Sequence, residues 1–258
     1  TSRLPDFQSA AEIDSAEKDY HYLSARFFAR VIGSPGACAG LFTYLSPDDN
    51  NPQSVQEADI EILTSGPRNA VQYTNQPSQD KNGNDNPEAT VNSTIPGERD
   101  WTLWNAYRVD WMPGMTSWYV NGESVANISF QAPKDPAGLY VNMWSDGGLW
   151  TGNMSLYDEA FLQIQWIEIA YNTSGPYAGA KNKRGSDGVG LEGALVKRKG
   201  TPGCKVVCGV DEKVNVTGTP AVLYNNTGMA PVGWKGEGMG SLFWLPVVVA
   251  GGALFGYF

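Results

Sequence analysis

Apolar and polar side chains alternate in short runs along the first two thirds of the chain. His21 to Val31 and Gly40 to Leu45 read as two strands, separated by a Gly-Ser-Pro-Gly turn at 33–36. A polar loop at 46–56 leads to a strand over 57–63, and 70–76 alternates again. Residues 77–100, crowded with Asn, Asp, Gly and Pro, read as one long polar loop. Asn105 to Met112 and Ser117 to Val120 look like paired strands, followed by an Asn121-Gly122 hairpin turn. Leu139 to Trp144 and Phe161 to Tyr171 complete the set. Helical periodicity is weak everywhere. Many short strands separated by turn signals predict an all-β protein, an antiparallel sandwich of two sheets.

The pattern changes at residue 177. Up to 240, Gly, Lys, Asn and Pro dominate and no period is sustained, which reads as a linker or poorly ordered tail. Ser241 to Phe258 is apolar and uncharged. Pro246 and three Gly make it a poor spanning helix. Small residues at Asn226-Thr227-Gly228, a polar spacer and this tail fit a GPI-attachment signal. The charge follows the same boundary. Residues 1–176 hold 9 basic and 22 acidic side chains, and 177–258 hold 9 basic and 5 acidic.

The net charge of −9 argues against nucleic acid as a partner, because a phosphate backbone needs Lys and Arg to displace its counterions. Aromatic residues make up 12%, with nine Trp, while charged residues are only 17%. That balance suits a carbohydrate-facing surface. Three Cys (Cys38, Cys204 and Cys208) are too few for a disulfide scaffold. Sequons at Asn92, Asn127, Asn153, Asn172, Asn215 and Asn225 lean towards secretion. The expected setting is therefore the cell surface or cell wall, with a membrane involved only through the anchor.

The candidate chemistry lies in Glu57-Ala58-Asp59-Ile60-Glu61. Alternation puts Glu57, Asp59 and Glu61 on one face of a strand and Ala58, Ile60 and Ile62 on the other, apolar face. Like charges so placed raise one another's pKa, at a cost in stability. Retaining glycoside cleavage makes use of such a row, with one ionised carboxylate as nucleophile and one carboxylic acid beside the leaving oxygen. Positions i and i+4 lie roughly 13 Å apart on an extended strand, whereas retaining carboxyls sit about 5–5.5 Å apart. The strand must therefore curve, with this face concave. A calcium site and a solvated acidic edge are the other readings of the row.

At this strand the chain resembles glycoside hydrolase family 16, whose signature is Glu-x-Asp-x-Glu. The likeness continues through Asp19 to Arg26, Gly40 to Tyr44, Tyr107 to Trp111, Trp118 to Gly122 and Val141-Asn142-Met143-Trp144. The resemblance implies a concanavalin A-like β-jelly-roll with a concave cleft, acting on β-glucan. It implies Glu57 as nucleophile, Asp59 as assisting carboxylate and Glu61 as general acid/base. Asn142 and Trp144 resemble sugar-binding cleft residues, and Phe42 a cleft aromatic. Gln72, Thr74 and Gln76 share a polar face on the next strand and are candidate cleft residues too. Trp101, Trp104, Trp111, Trp118 and Trp166 are read as core, Trp150 either way, and the lone His21 as structural. Ala58, Val55 and the near absence of the family's strands before residue 10 depart from the pattern. The last of these predicts a shortened cleft wall.

The expected layout is a catalytic jelly roll over 1–176, a linker over 177–240 and a GPI-type signal over 241–258. The expected activity is endo-hydrolysis of β-1,3 or mixed β-1,3-1,4 glucan by double displacement, in a monomer, with no cofactor and no metal. Transglycosylation between wall glucan and chitin, and a silent glucan-binding module, are the competing readings.

Overall fold

A computed structural model describes residues 1–48 and 51–173, together with the two strands 206–209 and 221–225. Among the described residues the chain is all β, apart from one turn of 3-10 helix at Pro52–Ser54. The strands are β1 (Ala11–Asp14), β2 (Tyr20–Gly33), β3 (Cys38–Leu45), β4 (Gln56–Leu63), β5 (Ala70–Gln76), β6 (Thr90–Thr94) and β7 (Asn105–Met112). They continue with β8 (Met115–Val120), β9 (Glu123–Ile128), β10 (Gly138–Trp144), β11 (Ala160–Thr173), β12 (Val206–Gly209) and β13 (Ala221–Asn225). A six-stranded sheet runs β1-β10-β3-β4-β5-β6 and a five-stranded sheet runs β11-β2-β7-β8-β9. Every pairing is antiparallel, and β12 pairs with β13 separately. This is the antiparallel two-sheet sandwich the strand pattern predicts, in the jelly-roll form the family resemblance implies.

Alternation builds the core. Leu23, Ala25, Phe27, Ala29 and Val31 of β2 face inward, fully buried, with Tyr107, Val109 and Trp111 of β7 and Trp118 and Val120 of β8. From the other sheet come Ala58, Ile60 and Ile62 of β4, Val71 and Tyr73 of β5, and Val141 and Met143 of β10. The Asn121-Gly122 turn closes the β8–β9 hairpin with both residues at positive φ, 51° and 84°. A two-residue type I′ loop requires that conformation, and it explains why these two residue types stand there.

Two expectations change. The stretch 77–100 contains β6, whose Thr90, Asn92 and Thr94 pair with Thr74, Gln72 and Ala70 of β5. Its polar composition reflects an edge strand rather than a loop. No strand forms before residue 10 among the described residues, in line with the sequence, and the first strand, β1, pairs with β10. Finally, Trp104 and Trp166 are not core. They stack on either side of Phe28 on the outer face of the five-stranded sheet, with centroids at 5.5 and 5.3 Å. Arg30 lies over the Trp104 ring at 4.8 Å and Arg26 over the Trp166 ring at 5.5 Å. A bulge between Ile164 and Trp166 sets Trp166 beside Phe28. Trp101, Trp111 and Trp118 are buried as expected. The His21 Nε2–H donates to the Lys134 carbonyl and the ring stacks on Tyr22, which fits its structural reading. The linker reading of 177–240 lies outside the described residues except at β12 and β13, and the anchor-signal reading of 241–258 lies wholly outside them.

Candidate active site

The exposed face of the six-stranded sheet carries the site. Register sets its rows. Glu57 lies between Tyr44 and Gln76, Asp59 between Phe42 and Thr74, and Glu61 between Gly40 and Gln72. One strand further, Tyr140 pairs with Phe42, Asn142 with Gly40 and Trp144 with Cys38. All nine residues expected from the sequence therefore share one face. The carboxylate strand has an aromatic flank on one side and an amide and hydroxyl flank on the other.

On the polar flank an open cleft of about 250 Å³ is lined by Glu61, Gln72, Thr74, Gln76, Ser78, Trp144 and Trp150. Thr74 is only 1% exposed and its hydroxyl pairs with Thr90 at 3.1 Å, so it shapes the wall more than it offers a free group. On the aromatic flank Phe42 stacks on Tyr140 at 5.5 Å, and Tyr44 meets Tyr140 edge-on at 5.6 Å. Asn142 lies over Gly40. A Cβ on Gly40 would stand 2.6 Å from the Asn142 Oδ1, so the bare backbone there makes room for the amide. The amide Nδ2 donates to Glu12 Oε2 at 3.3 Å, and the buried Oδ1 takes no donor among the described residues. Glu12 comes from β1, so the short first strand still contributes to the cleft wall.

The three carboxyls differ in surroundings. Asp59 is buried, 4% exposed, and accepts from the Gln76 amide at 3.4 Å. Burial holds it well above the ordinary carboxyl range, reinforced by the charges of Glu57 and Glu61. Glu57 hydrogen-bonds with Asp59. Burial pushes Glu57 up to about 7, against that hydrogen bond and with the help of the Glu61 charge. Burial also raises Glu61, while the Cys38 thiol and the Trp150 indole draw it back. Those two groups donate to Glu61 Oε1 at 3.6 and 3.3 Å. One proton shared by Glu57 and Asp59 satisfies this arrangement. It rests on the more deeply buried Asp59, which then donates to an ionised Glu57. Among the described residues no three His, Cys, Asp or Glu side chains are grouped to hold a metal ion.

Tyr44, Tyr140, Cys38, Ser78 and Glu12 were not singled out from the sequence. Tyr44 and Tyr140 carried a usable signal, since each stands two residues from a named cleft residue and so on the same face. Cys38 also has cleft parity, but a small apolar residue opening a strand reads as core. Glu12 needed the β1–β10 pairing, which no short-range pattern shows.

A two-sheet sandwich whose outer face presents a buried carboxyl between two half-buried ones, flanked by aromatic and amide side chains, defines a carbohydrate-cleft protein of jelly-roll type. The model of the family described as glycosyl hydrolases family 16 matches residues 3–168, which enclose every cleft residue above. The chain belongs to that family. It is 28% identical over 134 residues to a beta-glucanase of Bacillus licheniformis, covering 51% of each chain. It is 30% identical over 134 residues to a xylanase/beta-glucanase of Ruminococcus flavefaciens, covering 48% of this chain and 14% of that one. The chain thus spans about half, or less, of the length of these curated relatives. Its fold matches a crystal structure of a prokaryotic beta-1,3-1,4-glucanase (lichenase) from a mouse hindgut metagenome. The TM-score is 0.50 at 22% identity, over 63% of this chain and 71% of that one.

Proposed function

We propose that the chain is a retaining, endo-acting β-glucanase that works by double displacement on the carboxylate strand β4. The observation that carries this reading is the division of labour along one face. Asp59 is buried against Glu57, whereas Glu61 takes its own donors, Cys38 and Trp150, at the cleft. The roles follow. Glu57, ionised and hydrogen-bonded by Asp59, attacks the anomeric carbon. Glu61 gives its proton to the departing glycosidic oxygen as that bond breaks. Glu61, now a carboxylate, then takes a proton from the incoming hydroxyl as it displaces Glu57. Two inversions leave the β configuration retained, and the protein's own carboxyls carry every proton.

β-Glucan as the substrate draws support from the beta-glucanase relatives and from the cleft chemistry. Phe42, Tyr44, Tyr140 and Trp144 offer apolar ring surface to pyranose faces. Gln72, Gln76 and Asn142 offer hydrogen bonds to sugar hydroxyls. The glycosyl-enzyme intermediate partitions between water and a sugar hydroxyl, so labelled acceptor oligosaccharides incubated with the enzyme separate hydrolysis from transglycosylation. Lichenan, laminarin, xyloglucan and chitin oligomers assayed side by side resolve the linkage. Asn92, Asn127 and Asn153 all stand in sequons with the Asn exposed, which supports a glycoprotein working outside the cell.

Glu57→Gln is expected to abolish turnover, because an amide cannot attack. Azide added to Glu57→Ala is expected to restore cleavage by filling the vacated space, giving a glycosyl azide of α configuration. Proton NMR of the first wild-type product should show the β anomer. Near-normal activity in Glu57→Gln, or an initial α product, overturns the scheme.

A further inference from the structure

Glu61 is held through one of its two oxygens. Oε1 accepts from the Cys38 thiol at 3.6 Å and from the Trp150 Nε1–H at 3.3 Å, while Oε2 takes no donor among the described residues. The donors reach it from separate places. Cys38 opens β3, is fully buried, and stands in register with Leu63 on one side and Trp144 on the other. Trp150 rides on a turn organised by a single carboxylate. Asp146 accepts from the backbone N–H groups of Gly148 at 2.9 Å, Trp150 at 2.6 Å and Thr151 at 3.1 Å, and from the Thr151 hydroxyl at 2.7 Å. Those donors hold Asp146 far below the ordinary carboxyl range. The Ser65 hydroxyl donates to the Thr151 carbonyl at 2.6 Å and ties the turn to the sheet. The otherwise exposed Trp150 is thereby anchored at both its backbone and its indole N–H.

A neutral carboxylic acid can carry its proton on either oxygen. Two donors aimed at Oε1 need its lone pairs, so the form they stabilise has the proton on Oε2. A thiol suits the buried position. It is a weak donor, so it orients the acid without pulling its pKa far down. Burial first, and then the Glu61 charge, push the Cys38 thiol far above its ordinary range, so it stays a donor throughout the working pH.

We propose that Cys38 and the Asp146-built turn carrying Trp150 are positioning elements that lock Glu61 into one tautomer, with its transferable proton on the oxygen left free for the substrate. This rests on the reading of Glu61 as the acid/base.

The test uses the full chain as wild type and as Cys38→Ala, Cys38→Ser, Trp150→Phe and Asp146→Ala. The measurements are kcat/KM against pH on lichenan and on an aryl β-oligoglucoside with an acidic phenol. Glu61 is also titrated directly by carboxyl 13C NMR, its resonance assigned by its loss in Glu61→Gln. Removing one donor from the carboxylate is expected to move the Glu61 titration and the alkaline limb upward by about 0.5 to 1 in pH. Cys38→Ser, which keeps a donor, should titrate below Cys38→Ala. Asp146→Ala should behave like Trp150→Phe. Losses of about tenfold are expected on lichenan, with smaller losses on the aryl substrate, whose leaving group needs little protonation. A Glu61 resonance whose titration does not move in Cys38→Ala or Trp150→Phe, with melting temperatures near wild type, overturns the proposal. A resonance that moves while the alkaline limb stays fixed upholds the positioning and removes Glu61 from the acid role.

Discussion

At the scale of single residues, chemically equal groups sit in unequal surroundings. Glu57 and Glu61 are both half-buried, yet one is hydrogen-bonded to a buried acid and the other is bound by a thiol and an indole. Glu61→Ala is therefore expected to lose activity mainly on substrates with poor leaving groups, by two or more orders of magnitude. Rates on lichenan and on an activated aryl glycoside check this, and equal losses on both would argue against the acid role. Trp144 lines the cleft and is half-buried, not core. Trp144→Ala should weaken oligosaccharide affinity while costing clearly less stability than the ~3–5 kcal/mol of a core Trp→Ala change. Calorimetric binding and thermal melting separate the two. A large stability loss with unchanged affinity would place its role in packing.

At the scale of elements, the cleft is a property of register. β4 brings three carboxyls to one face only because Ala58, Ile60 and Ile62 are buried on the other. A one-residue slip would turn the carboxyls into the core. Gly40 sits between Glu61 and Asn142 in the register of β3, so its missing side chain leaves the Asn142 amide room over the strand. Gly40→Ala is expected to displace that amide and raise KM several-fold with a smaller change in kcat. A rise in kcat/KM would count against this account of the close contact.

At the scale of the whole molecule, the site is kept at the expense of stability. Burial pushes the Glu57 carboxyl up from an ordinary 4.5 to about 7, so the folded state binds more protons between those values. Its contribution is fully present below about pH 4.5 and is lost as pH rises through 7, each tenfold difference in proton affinity between the folded and unfolded chain being worth about 1.4 kcal/mol. Glu57→Gln removes that dependence. The melting temperature of the variant minus that of wild type should be small at pH 4.5, grow through pH 6 and level off above pH 7. A difference that is flat, or that shrinks with pH, would contradict the burial of this carboxyl.

The β-sandwich, most strand positions and the carboxylate strand were legible in the chain, because a two-residue alternation is a local property. Glu57, Asp59 and Glu61, together with Asn142 and Trp144, could be placed on common faces by counting alone. Other features needed the fold. Trp104 and Trp166 read as core because a large aromatic usually is, yet a bulge after Ile164 and the position of Trp104 just before β7 set both against the outward-facing Phe28. The strand β6 was hidden because an edge strand needs no apolar face of its own. Cys38 became a partner of Glu61, and Glu12 of Asn142, only when distant segments met. What the sequence determined by itself was which residues share a face, since that depends on neighbours two positions apart. Only the tertiary structure decided which faces meet and which atoms accept which donors, since those depend on strand order and on contacts such as the one between Glu12 and Asn142, which spans 130 residues of chain.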